Sequence, residues 1–205
     1  AGLATPAARA ATLPDAATVA TLRALPVQHD GRVMPLDTKA REAVREVAGR
    51  GGWQGADPVA LVVGWSFSPE DWVAEPMVRL GGKALAAAAG FPRGAKRLSY
   101  QDLVANRRFL DLVDHAHHKS EGEAKLDKAE KAALEVEHRL LILQAFFNRA
   151  TWNVLPTADP VAQWGVPADL QTPADLIAAG GRALANAPAY YPSASAIGRE
   201  ITYNR

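Results

Sequence analysis

Two long stretches of helix-period apolar residues follow one another in the second half of the chain, and they commit any fold it adopts to a pair of helices. In the first, Ser99-Tyr100-Gln101-Asp102 has the form of a capping box with Asp in place of the usual Glu, and Leu103, Phe109, Leu110 and Val113 carry the apolar period towards His118. In the second, from Asp127 to about Ala150, Leu134, Leu141, Ile142, Ala145 and Phe146 share a face after an early Lys/Glu alternation. The polar connection Lys119-Ser120-Glu121-Gly122-Glu123 is short enough for a helical hairpin. The spacing therefore predicts antiparallel helices over 99–118 and 127–150, with Leu103, Leu110, Leu134 and Leu141 buried.

The first half reads as shorter elements. Asp15 caps a helix through Leu22 and Leu25, after an Ala/Thr-rich lead-in over 1–13. In Val27-Gln28-His29-Asp30-Gly31-Arg32-Val33-Met34, an Asp-Gly pair between extended flanks signals a two-residue β-hairpin. Asp37 or Thr38 is the expected cap of a helix burying Ala40, Ala43, Val44, Val47 and Ala48, which Gly49, Gly51 and Gly52 stop. Asp57-Pro58 opens an apolar helix, and Ser68-Pro69-Glu70-Asp71 starts a further turn carrying Trp72. Pro76 to Leu80 is a strand candidate, expected to pair with the hairpin, and Lys83 to Ala89 is a brief helix closed by Gly90. Thr172-Pro173-Ala174-Asp175 opens a helix to Ala185, and Ile197, Ile201 and Tyr203 continue at helical spacing. The fold class is mainly α: a compact helical domain with a small β-hairpin or short sheet, residues 14–205 forming one unit.

Composition narrows function. In 205 residues, 23 basic and 22 acidic side chains leave a net charge of +1, so no whole-molecule field draws nucleic acid or an anionic bilayer. There is no cysteine, which excludes disulfides, thiolate metal sites and haem attachment through Cys-x-x-Cys-His. No apolar run approaches the roughly 20 residues that span a bilayer, and the start lacks the order of a signal peptide. A loop excised from between membrane helices would look the same.

Two segments carry a family resemblance. Leu25-Pro26-Val27-Gln28-His29-Asp30-Gly31-Arg32-Val33-Met34-Pro35-Leu36-Asp37-Thr38, continuing to Ala40-Arg41, and Glu200-Ile201-Thr202-Tyr203-Asn204-Arg205 resemble the fused, ResB/ResC-like system II (Ccs-type) cytochrome c synthases. Glu75 to Arg79, the Leu98-Ser99-Tyr100 helix start and Glu137-His138-Arg139 extend the likeness, in the same order, over most of the length. The resemblance implies a periplasmic or otherwise extracytoplasmic domain, membrane-tethered in its parent, whose second segment leads almost directly into a membrane helix. It implies haem as the parent's cofactor, with none in the isolated domain. The implied partners are the membrane part of the same synthase and apocytochrome c, with no nucleic acid. The family's tryptophan-rich haem-handling run is missing, since Gln163-Trp164-Gly165 shares only a Trp-Gly pair, and no position inherits its haem-ligating histidines. The isolated domain is accordingly expected to dock or position partners without catalysing.

Three groups of residues are candidates for chemistry. A hairpin turning at Asp30-Gly31 sets His29 opposite Arg32, and Arg41 on the next helix can point to the same side, a set able to grip a haem propionate or partner carboxylate. The competing reading pairs Arg41 with Asp37 at i,i+4 and gives the set a structural role. Asp114-His115-Ala116-His117-His118, with His138 elsewhere, is the densest supply of metal or haem ligands, although His near a helix C-terminus is also favoured by the dipole. The third group, Trp53, Trp65, Trp72, Trp152 and Trp164 with Tyr190 and Tyr191, is either a haem or peptide platform or core. Partner docking is the leading function, with direct haem binding through His29 or His115, His117 and His118 as the alternative and a stand-alone metal-dependent enzyme the remotest. Neither a Gly-x-Ser-x-Gly elbow nor a phosphate-cradling glycine loop is present.

Overall fold

Asp15 accepts the Thr18 N–H at 2.8 Å and starts α1 (Ala16–Arg23) as its spacing predicts. The chain then turns through β1 (Pro26–His29) and β2 (Arg32–Pro35), antiparallel with Gln28 opposite Val33 and His29 opposite Arg32. The turn residues have positive φ, 49° at Asp30 and 72° at Gly31, the geometry that matches strand twist in a two-residue hairpin. A Cβ at Gly31 would meet nothing within 4 Å, so Gly31→Val tests backbone strain alone. It is expected to cost about 1–2 kcal/mol in chemical denaturation; an unchanged midpoint would show that the turn tolerates a β-branched residue.

This computed structural model describes residues 12–157 and 162–190, with side chains to Arg182. Of the described residues 54% are helical, in eight helices, with two small two-stranded antiparallel sheets. The remaining elements are α2 (Leu36–Ala48), α3 (Pro58–Phe67), a 3₁₀ turn (Pro69–Asp71), β3 (Val78–Arg79), α4 (Lys83–Ala88), β4 (Arg97–Leu98), α5 (Tyr100–Val104), α6 (Arg107–Glu121), α7 (Lys128–Phe147) and α8 (Pro173–Tyr190). Among the described residues no helix is long and apolar enough to cross a membrane. The tail motif from Glu200 to Arg205 and the helical spacing at Ile197, Ile201 and Tyr203 lie outside the described residues.

Helix α3 sits at the centre. Asp57 accepts the N–H groups of Val59 and Ala60, Pro58 occupies the first turn, and every residue from Pro58 to Ser66 is buried, as an all-round apolar helix requires. α2 and α7 pack against it, and α7 also packs against α4 and α6. Where they meet, Phe146 lies between Trp65 (centroids 5.7 Å apart) and Trp152 (5.8 Å), both edge-on. The Trp152 indole N–H donates to Ser66 Oγ at 3.1 Å. All five tryptophans are buried and so serve as core.

The C-terminus of α2 shows how distant residues finish a local element. A helix end leaves its last carbonyls without intrahelical donors. Gly49, at φ 70°, closes the helix in the left-handed conformation, and its N–H returns to the Arg45 carbonyl. Arg139 Nε donates to the Glu46 carbonyl at 3.0 Å, and Arg97 donates to that of Ala48 from Nη2 at 2.8 Å and Nε at 3.2 Å. A Cβ at Gly49 would also collide with the Arg79 side chain, 2.4 Å away.

Several expectations need correction. The helix expected over 99–118 is two: after the Ser99 capping box, α5 ends, and Asn106 caps α6 by accepting the Phe109 N–H at 2.9 Å while reaching the Ala89 carbonyl at 3.3 Å. α6 and α7 form the expected helical hairpin, joined by Lys119 to both Glu130 oxygens at 2.8 Å, but the phase of α7 differs. Its buried residues are Glu130, Ala132, Ala133, Val136, Arg139, Leu140, Leu143 and Phe146. Leu134 and Leu110 are half-buried and Leu141 is 53% exposed, because α7 touches four helices and its face follows them. α2 begins at Leu36 without a side-chain cap, since β2 runs straight into it and Asp37 is engaged by arginines. β3 pairs with β4, which no apolar alternation announced, and leaves the hairpin a separate sheet.

Candidate functional site

The hairpin is held from below by one buried amide. Gln28, 5% exposed, donates its backbone N–H to the Asn153 carbonyl at 2.9 Å and accepts from Asn153 Nδ2 at 3.4 Å. Its side chain accepts the Trp164 N–H at 2.6 Å and donates to the Ala162 carbonyl at 3.3 Å. Four bonds thus fix the strand that presents His29. The His29 Nε2 lies 3.6 Å from Asp30 Oδ2, and Arg32 faces it across the strands. Arg41 is turned elsewhere: its Nε donates to Asp37 Oδ2 at 2.7 Å, and Arg23 joins that carboxylate and Asp57. Both hydrogen bonding and charge from these acids raise Arg23 and Arg41 above the ordinary arginine range.

His29 opens onto a groove of about 430 Å³ between α2 and α7. Ala43, Leu141, Ile142 and Phe146 make it apolar, while Glu42, Glu46 and His138 supply polar groups; neither Arg32 nor Arg41 lines it. Leu141 is one of four large apolar side chains exposed among the described residues, and here it borders a concave surface. Lys39, 2% exposed, falls on the buried face of α2, donates to the Thr151 carbonyl and lies 6.0 Å from the Phe146 ring centre. Burial pushes its ammonium down to about 8, against the opposing pull of Asp30.

That depression has a definite sign. Between about 8 and the unfolded lysine value near 10.4, the folded chain binds fewer protons than the unfolded one, so this group makes stability rise with pH there. From pH 7.5 to 9.5 the rise amounts to about 2 kcal/mol. Urea titrations at the two pH values are expected to show it in the wild type and to lack it in Lys39→Met; equal rises in both proteins would contradict the assignment.

The α6 histidines do not converge. His115 Nε2 lies 3.4 Å from Glu130 Oε1, His117 Nε2 is 2.7 Å from Glu137 Oε2, and His118 Nδ1 is 2.8 Å from the Asp114 carbonyl. All three are exposed and each has its own partner. Among the described residues no three His, Cys, Asp or Glu side chains gather as a metal group.

Sequence reasoning missed Lys39 and His138 as neighbours of His29, and it missed a second groove, of about 920 Å³, at the C-terminal end of α2. The signal for the second was present in Arg93-Gly94-Ala95-Lys96-Arg97, three cations in five residues, hidden by a net charge near zero. The fold thus defines an α-rich domain with one apolar and one cationic groove. Compared with protein-family models and with curated proteins, the chain matches none.

Proposed function

We propose that this chain is an extracytoplasmic docking domain of a membrane-tethered system II cytochrome c synthase, positioning a partner polypeptide, apocytochrome c or the synthase's own membrane part, for haem attachment. The observation that carries this reading is that the segment with the family resemblance supplies His29 and Lys39 to an open apolar groove beside the exposed Leu141. Apolar concavities with a few fixed polar groups are the surfaces on which polypeptide segments anchor. A photocrosslinker at Leu141 in the whole synthase is expected to capture apocytochrome or the membrane part, and Leu141→Glu to reduce cytochrome c maturation about tenfold without unfolding the domain. Normal maturation after replacing the whole domain by an inert linker would refute the reading.

One observation favours direct haem binding as the second reading. His29 and His138 line the same groove as Leu141, Ile142 and Phe146, a donor set and apolar wall suited to an iron tetrapyrrole. Bound haem would supply the group transferred to the apocytochrome, and these residues would hold and shield it. Against this stands the 40% exposure of the His29 side chain, since axial histidines are normally fixed by further contacts and shielded from water. A saturable Soret shift at one haem per chain, abolished by His29→Ala, would replace docking with this reading; haem that fails to saturate leaves docking in place.

A further inference from the structure

The groove at the end of α2 gathers charge from three segments. Arg79 comes from β3, Lys83 from α4, and Arg93, Lys96 and Arg97 from the stretch entering β4. No Asp or Glu lines it, and among the described residues none of these five side chains makes an ion pair. Between them Leu80, Ala86 and Phe91 form an apolar floor. Capping of α2 accounts for one cation only, Arg97, whose guanidinium lies 5.4 Å from the Trp53 ring centre while Arg50 lies 5.2 Å from that ring. Two of its five N–H donors meet the Ala48 carbonyl, which fixes the group and leaves the other donors for a ligand. Burial, with Arg50 and Arg79 close by, lowers Arg97 below the ordinary arginine range, so the local field is one an anion would relieve.

The shape and lining of the groove select among anions. A flat bilayer complements a protruding surface, whereas about 920 Å³ of concavity suits a discrete ligand. Single-stranded nucleic acid calls for open aromatic faces to stack its bases, and Trp53 is buried with both arginines against it. Carboxylates suit the planar fork of arginine, and an apolar side chain suits the floor. We propose that this groove binds an acidic, partly apolar peptide segment of a partner protein, its carboxylates meeting Arg79, Arg93 and Arg97 and an apolar side chain lying on Leu80 and Phe91. The site is separate from the α2–α7 groove, and its test is independent of haem or cytochrome maturation.

Fluorescence anisotropy of a labelled peptide alternating Glu and Leu provides that test, with a Gln-for-Glu peptide as control and an Arg93→Glu/Lys96→Glu variant of the chain. Both positions are exposed and make no described side-chain bond, so the variant is expected to keep wild-type helicity by circular dichroism. The acidic peptide is expected to bind the wild type, to bind the variant about tenfold or more weakly, and to weaken as salt rises from about 0.1 to 0.5 M. The Gln peptide is expected not to compete. Equal binding of the two peptides, equal binding by wild type and variant, or tighter capture of phosphatidylglycerol vesicles or a DNA oligonucleotide than of the peptide would overturn the proposal.

Discussion

Arg139→Ala is expected to lower the free energy of unfolding by about 3–5 kcal/mol, among the largest losses a single substitution in this chain can cause. The side chain is 7% exposed on the buried face of α7 and donates to two carbonyls, those of Glu46 at 3.0 Å and Arg79 at 3.3 Å. It also lies 3.2 Å from the Glu46 carboxylate and 3.6 Å from that of Glu135. Alanine removes the donors and the aliphatic stem together, leaving both part-buried carbonyls without the guanidinium and a void between α2, β3 and α7. Arg139→Met keeps most of the stem, so it separates the two losses and is expected to cost about half as much. Urea titration measures both; a loss under about 1 kcal/mol for the alanine variant would mean that water replaces the guanidinium without penalty.

Gln28→Leu is expected to cost about 2–3 kcal/mol, although leucine has nearly the same volume. The backbone bonds to Asn153 survive the change, but the Trp164 N–H loses its 2.6 Å acceptor and the Ala162 carbonyl its 3.3 Å donor. Since these contacts join β1 to a segment more than 130 positions away, the effect is expected to be local as well as global. Amide exchange at Trp164 should accelerate about tenfold or more beyond what the change in global stability explains. Protection at Trp164 equal to the wild type would show that the amide is dispensable. The same variant removes two of the four bonds that hold the strand presenting His29 to the α2–α7 groove, so crosslinking from Leu141 provides a functional readout of that side chain.

Part of the candidate site was legible before any fold was known. The pairing of His29 with Arg32 follows from Asp30-Gly31, because a two-residue turn leaves only one register. The engagement of Arg41 by Asp37 follows from their spacing on α2. The rest of the groove was hidden. His138 is over 100 residues from His29, and its approach depends on the rotation of α7 about its axis. That rotation put Leu141 outside and Arg139 inside, against the simplest apolar face, because Arg139 is held by carbonyls that α2 and β3 present.

The sequence by itself determined those features whose partners lie within a few residues: the caps at Asp15, Asp57 and Ser99, the left-handed hairpin turn, the helical hairpin of α6 and α7, and the all-round burial of α3. Such interactions form at short chain separation, where closure costs little entropy and the pattern of residue types is nearly the whole cause. Only the tertiary structure decided the break at Asn106, the pairing of β3 with β4, the phase of α7 and the gathering of five cations from three segments. Each depends on groups far apart in the chain meeting at one place, such as Arg97 at the Ala48 carbonyl and Asn106 at the Ala89 carbonyl. Desolvated carbonyls take whatever donor the packing brings, and no local pattern of side chains states which donor that is.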